Sequence, residues 1–117
     1  MSQSFSSTKG FNIKSFIRIK PNQYHLPVNS IEFKDNSSIV CERSVYKFDY
    51  ILDSFASQNT VYDTVGKEVT AKFMKGYNCT IFAYGNTGSG KTFTMFGNND
   101  GIVPSVVEDI FSQLDTK

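Results

Sequence analysis

The chain has no tryptophan, three prolines, two cysteines and one histidine in its 117 residues. Each scarcity closes a class of function. Cys41 and Cys79 are too few for a disulfide framework or a zinc site, and free thiols in a reducing compartment are the default. His25 lies beside Tyr24 with no metal-spaced partner and reads as a solvated loop histidine. Charge of one sign is missing too. Twelve Lys and Arg against eleven Asp and Glu leave a net +1, which gives no field to gather nucleic acid or an anionic membrane. The wholly apolar runs are only a few residues long, against the ~20 needed to span a bilayer. Residues 1–10 are rich in serine and lack the apolar block of a secretory signal, so they read as a disordered leader. Without a secretory route, the glycosylation patterns Asn36-Ser37-Ser38 and Asn78-Cys79-Thr80 are chance matches. What remains is ordinary for one soluble domain, with 39% hydrophobic and 20% charged residues and enough chain to bury a core.

One stretch is not ordinary. Gly85-Asn86-Thr87-Gly88-Ser89-Gly90-Lys91-Thr92 is a complete G-x-x-x-x-G-K-S/T phosphate loop. Before it, Thr80-Ile81-Phe82-Ala83-Tyr84 reads as a short buried strand; after it, Phe93-Thr94-Met95-Phe96 fits the first turns of a helix. Glycine lets backbone N–H groups curl around a polyphosphate, where a side chain at Gly88 or Gly90 would crowd the anion. The new helix aims unpaired N–H groups at the same charge. In this pattern Lys91 reaches the β- and γ-phosphates, and the Thr92 hydroxyl ligates Mg²⁺. The alternative is a glycine-rich turn that matches by accident, and the flanking strand and helix argue against it.

Upstream, Phe11 to Lys20 alternates as a strand, with Ile13, Ser15, Ile17 and Ile19 on one face and Phe16, Arg18 and Lys20 on the other. Pro21 ends it, leaving two cations and a rigid ring where open α/β sheets place ligands. From this segment alone, a solvated strand end is the better explanation of Arg18-Ile19-Lys20-Pro21. Asn22 to Ser30 is loop, broken by Pro27. Ile31-Glu32-Phe33-Lys34 and Ser38-Ile39-Val40-Cys41 suggest short strands around an Asp35-Asn36-Ser37 turn, and the run Val45 to Leu52 extends them into a small antiparallel lobe.

Asn59 to Lys75 has the strongest helical period, with Val61, Val65, Val69 and Phe73 four apart and Tyr62 and Met74 widening the stripe. Ser57 or Asn59 suits its start and Gly76 a left-handed stop. Gly66 inside it costs roughly 1 kcal/mol relative to alanine. Lys67, Lys72 and Lys75 fall on the solvated side. Asp63-Thr64-Val65-Gly66-Lys67-Glu68 fits D-x-x-G-x-E, a γ-phosphate sensor in several nucleotide switches. It is a decoy here, because it precedes the phosphate loop and lies within an amphipathic helix. Beyond the loop, Gly97-Asn98-Asn99-Asp100-Gly101 is a turn, Pro104 favours a first helical turn, and Val106, Val107, Ile110, Phe111 and Leu114 share one helix face.

Taken together, these stretches resemble the kinesin motor domain. The likeness is carried by Gly76-Tyr77-Asn78-Cys79-Thr80-Ile81-Phe82-Ala83-Tyr84 entering the loop, Thr92-Phe93-Thr94-Met95-Phe96-Gly97 leaving it, and Gly101-Ile102-Val103-Pro104. Lys47-Phe48-Asp49-Tyr50 looks like the family's F-D motif and Arg18-Ile19-Lys20-Pro21 like its R-x-R-P. The resemblance runs from about Phe11 to Lys117. It implies an α/β fold, the three-layer sandwich of a kinesin-like P-loop NTPase, with a small antiparallel β lobe. It also implies ATP and Mg²⁺ as ligands, microtubules as the track of the complete motor, and a cytoplasmic, cytoskeletal location. Arg18, Lys20 and Pro21 would then line the adenine pocket, with Phe93 where the family often carries a ring near the base. Two departures are mild: Lys20 replaces arginine and loses its planar stacking group, and Asn86 replaces the usual glutamine.

Two elements of the family do not occur in these residues: switch I (N-x-x-S-S-R-S-H) and a switch II D-x-x-G-x-E following a strand. Those elements position the attacking water and sense the γ-phosphate, on which phosphoryl transfer depends. The expectation is therefore residues 11–117 as the N-terminal, nucleotide-cradling third of a motor, with no catalytic residue of its own. The alternative is a catalytically dead product that only binds nucleotide or another protein.

Overall fold

The computed structural model describes residues 13–21 and 31–115. The leader expected over residues 1–10, the strand start at Phe11 and the Asn22–Ser30 loop with His25 and Pro27 lie outside the described residues. The chain divides into two compact units, one ending at Phe55 and the other beginning at Ala56.

The first unit is all strand. β1 (Phe16–Arg18), β2 (Ile31–Phe33), β3 (Ser38–Cys41), β4 (Ser44–Lys47) and β5 (Tyr50–Leu52) form two sheets. Alternation places Ser15 and Ile17 inside and packs Ile19 against the core, while Ile13 is about half exposed, so the regular strand is shorter than its sequence pattern. β2, β3 and β4 pair antiparallel, with Ile39 opposite both Phe33 and Tyr46. The β2–β3 turn closes where Asp35 Oδ1 accepts from Ser37 N at 2.8 Å and Ser37 Oγ at 3.0 Å, an Asx turn that holds the Asp35 carboxyl below its usual value. Glu42 and Arg43 both have positive φ, as the tight β3–β4 hairpin demands.

β5 corrects the expectation of a single antiparallel lobe. It leaves that sheet and pairs parallel with β1, Ile17 facing Ile51 in the register. Asp49 makes the switch possible: its carboxylate accepts from Ser15 N at 2.6 Å, and its own N–H donates to Ser15 O at 2.8 Å. Phe48 beside it is buried with Ile17, Ile39 and Ile51. The F-D pair thus acts here as a core anchor and a clip on β1.

The second unit is helical. Ser57 caps α1 (Gln58–Val61), its side chain accepting from Thr60 N at 3.1 Å. A wide turn, Tyr62–Gly66, in which Lys67 N–H reaches Tyr62 O, leads into α2 (Lys67–Met74), and Gly76 at φ 97° ends the run. The wide turn inserts one residue into the helical repeat. Burial therefore passes from Val61 to Gly66 and Thr70, five and then four residues on, while Phe73 lines an apolar groove beside Val69 and Thr70 and stays 51% exposed. Val69 and Phe73 of the expected stripe share one face of α2, which is only partly covered. α3 (Lys91–Met95) and α4 (Ile102–Asp115) follow, joined by a turn at Gly97–Gly101. Pro104 lies in the first turn of α4 as expected, but Val107, Phe111 and Leu114 on its apolar face stay about half or more exposed. The strand expected over Thr80–Tyr84 is also corrected. This stretch pairs with no strand among the described residues, and Phe82 and Tyr84 are 74% and 65% exposed. An extended segment buries its faces only between neighbouring strands, and none flanks it here.

Candidate functional site

The loop from Gly85 to Gly90 is built by its glycines. Ser89 N–H donates to Asn86 O at 3.0 Å and closes a turn, and Gly88 and Gly90 have φ of 82° and 104°. These are left-handed conformations that cost a side-chain-bearing residue roughly 1–2 kcal/mol. At both glycines the direction a Cβ would take is open space. Gly85 is different, because a Cβ there would come within 2.5 Å of Ser89 Oγ. The loop therefore needs a small residue at its entrance, where it folds onto itself, and bare backbone along its lip.

α3 starts directly at Lys91. The Lys91 ammonium donates to Gly85 O at 2.6 Å, bridging the two ends of the loop. Thr92 is exposed at the same edge, and Asn86, Thr87 and Ser89 face solvent. The ammonium, the turn's backbone and the Thr92 hydroxyl together make a donor-rich rim beside the open space at Gly88 and Gly90. That set fits a polyphosphate, and it offers one hydroxyl to a hard cation whose other ligands are phosphate oxygens and water. No group of three or more His, Cys, Asp or Glu side chains that could hold a metal ion by itself occurs among the described residues. Phe93 presents a ring 53% exposed. In the first unit, Arg18 ends β1, and Lys20 and the exposed Pro21 follow it. The decoy Asp63–Glu68 is confirmed as helix, with Gly66 buried.

Comparison with known proteins interprets this geometry. Residues 9–117 match the family described as the kinesin motor domain. The chain belongs to the kinesin motor domain family. Among curated kinesins, it is 39% identical to Kinesin-related protein 1 of Dictyostelium discoideum over 88% of this chain and 5% of that one. With Kinesin-like protein KAR3 of Saccharomyces cerevisiae it shares 38% identity over 86% of this chain and 16% of the relative. Among solved structures, a kinesin motor ATPase mutant aligns with TM-score 0.77 and 37% identity, covering 91% of this chain and 37% of that chain. Drosophila Kin10/NOD, solved with divalent manganese and ADP, aligns with TM-score 0.79 and 25% identity, covering 89% and 38%. The chain spans 5–16% of the length of the curated relatives named here and 37–38% of these solved kinesin chains. Its parallel pair, small antiparallel sheet and helices are the corresponding part of the kinesin α/β motor fold.

Two groups of residues in the second unit, the first of them at α3, were not legible as partners in the sequence. Gln58 Nε2 donates to Phe93 O at 2.7 Å across 35 positions. Tyr62 donates its hydroxyl to Asp109 Oδ2 at 2.6 Å and lies 3.0 Å from Thr70 Oγ1. Burial first, then the bond to Asp109, pushes the Tyr62 phenol up to about 12. The Tyr62 hydroxyl, then the Gln113 amide, holds the Asp109 carboxyl below its usual value. Both groups are long-range, and no motif spacing marks them.

Proposed function

We propose that Gly85–Thr92 binds the triphosphate of ATP with Mg²⁺, as the nucleotide-binding part of a microtubule motor. The observation that carries this reading is the loop itself: open backbone at Gly88 and Gly90, with Lys91 and Thr92 on the same rim. Backbone N–H groups of the loop and Lys91 would hold the phosphates, leaving the bond to Gly85 O for the stronger charge. Thr92 would ligate Mg²⁺, which neutralises phosphate charge when bound. Arg18, Lys20, Pro21 and Phe93 are assigned to the adenine end, Phe93 by stacking.

The structural relatives support this reading. One is Drosophila NOD with manganese and ADP, and another NOD structure was docked with tubulin into a map of the microtubule complex. The complete domain would couple ATP hydrolysis to movement along microtubules in the cytoplasm. Residues 1–117 contain no switch I pattern, and their D-x-x-G-x-E match lies in a helical run upstream of the loop, which favours a second reading for this stretch alone: a nucleotide- or protein-binding module without turnover.

Mg·ATP titration of the gene product at its natural length tests the assignment. Lys91→Ala should weaken binding by two orders of magnitude or so, the scale of a lost charge-assisted contact to phosphate. Thr92→Ala should weaken only the Mg²⁺-dependent part, because the backbone cradle remains. Unchanged affinity in Lys91→Ala rules the assignment out.

A further inference from the structure

α3 has five residues, too few to persist without tertiary support. Its first turn is closed by Thr94 N–H donating to Gly90 O at 2.9 Å. At its far end the pattern changes. Thr92 O accepts from both Phe96 N–H at 2.8 Å and Gly97 N–H at 3.2 Å. The Gly97 N–H is the one that a continuing helix would give to the Phe93 carbonyl. Gln58 Nε2 donates to the Phe93 carbonyl at 2.7 Å, and the same amide nitrogen lies 3.4 Å from Asp100 Oδ1. Both neighbours are acceptors only, so the NH₂ end of the amide must face them. Asp100 Oδ1 in turn accepts from Asn98 N at 2.9 Å, tying the post-helix turn into the same junction.

The junction is closely built. A Cβ on Gly97 would come within 2.5 Å of Gln58 Nε2 and 3.2 Å of Phe93 O, and Gly97 holds φ of 53°. A Cβ on Gly101 would strike the Met95 carbonyl carbon and Phe96 N at 2.5 Å.

We infer that Gln58 is a positioning residue of the nucleotide site, acting through α3 on Lys91 and Thr92. Its amide, at the start of α1, pins the end of a helix barely longer than one turn, and such a helix moves as a unit. Pinning Phe93 O fixes both the backbone that carries the exposed Phe93 ring and the two residues before it. The inference rests on the nucleotide reading of the loop.

The test uses Gln58→Glu and Gln58→Met in the natural-length gene product, with Lys91→Ala and Tyr62→Phe alongside. Mg·ATP affinity and Tm are measured for each. Gln58→Glu sets a carboxylate against the Phe93 carbonyl and the Asp100 carboxylate, and should weaken binding about tenfold, the equivalent of one good hydrogen bond with added repulsion. Adding Asp100→Asn should recover part of that loss. Gln58→Met keeps the side-chain length, removes the donor and should weaken binding on the order of threefold; it decides the matter if Gln58→Glu does not fold. Tyr62→Phe, which touches neither loop nor α3, should lower Tm and leave affinity unchanged. Wild-type affinity in the Gln58 variants, with binding lost in Lys91→Ala, overturns the positioning role alone. So does an affinity loss that follows Tm equally in Tyr62→Phe. Intact binding in Lys91→Ala instead removes the nucleotide reading beneath it.

Discussion

Gly66 shows how a neighbour reverses the meaning of a residue. Helix propensity alone makes Gly66→Ala stabilising by roughly 1 kcal/mol. In the structure, a Cβ there would lie 2.6 and 2.7 Å from two ring carbons of Tyr62. The ring cannot move aside freely, because its hydroxyl is held by Asp109 and Thr70. Gly66→Ala is therefore expected to destabilise by about 1–3 kcal/mol, the usual cost of overpacking. Chemical denaturation of the natural-length gene product reads this directly. With Tyr62→Ala already present the sign should return to stabilising, since the two residues share one space and their effects do not add. A stabilising Gly66→Ala in the wild-type background would show that the ring gives way.

Among elements, the wide turn Tyr62–Gly66 decides which side of the long helix faces inward, and its Tyr62 is the tie to α4. The two shifted groups of that tie predict opposite ends of a pH profile. Asp109 is lower in the folded state, so its contribution is full above the ordinary carboxyl value of 3.8 and is lost as pH falls through the lowered one. Tyr62 is raised from 10.0 to about 12, so its contribution is full below pH 10 and is lost as pH rises toward 12. Tyr62→Phe should cost about 0.5–1.5 kcal/mol near neutral pH. It should also flatten the alkaline limb of the stability profile. An alkaline limb unchanged in Tyr62→Phe would assign that limb to another tyrosine.

For the whole molecule, the balance of covered and uncovered apolar surface is the governing fact. The first unit encloses Ile17, Ile39, Phe48 and Ile51. Among the described residues of the second unit only Val61 and Ile102 are buried large hydrophobics, while Phe73, Phe82, Val107, Phe111 and Leu114 are each about half or more exposed. Between α2 and α4 lies an apolar groove of about 280 Å³, lined in part by Val69, Ile81, Val103 and Ile110. Residues 80–84 join no sheet among the described residues, and their free edge is a template for edge-to-edge association. Residues 1–117 expressed alone are therefore expected to self-associate and to lose structure without a sharp transition. They should also show no microtubule-stimulated phosphate release. A monomer with a cooperative denaturation curve and dispersed amide resonances would show that the groove and the 80–84 segment close upon themselves.

What was legible in the sequence was local. The phosphate loop, the Asp35 turn, the Ser57 cap, the Gly76 stop and the Pro104 helix start depend on residue types at fixed short spacings, and a chain carries that information in order. The family likeness was legible for the same reason, because its motifs are contiguous strings. What only the tertiary structure decided depends on partners distant in the chain. β5 joins β1 because Asp49 meets Ser15, 34 positions away. One inserted residue brings Gly66 and Thr70 inside, and Phe73, which lines the same groove as Thr70, stays half exposed because no element among the described residues covers it. Thr80–Tyr84 has the composition of a buried strand, yet a strand exists only through its neighbours. Its composition records the environment it suits, and pairing alone creates that environment.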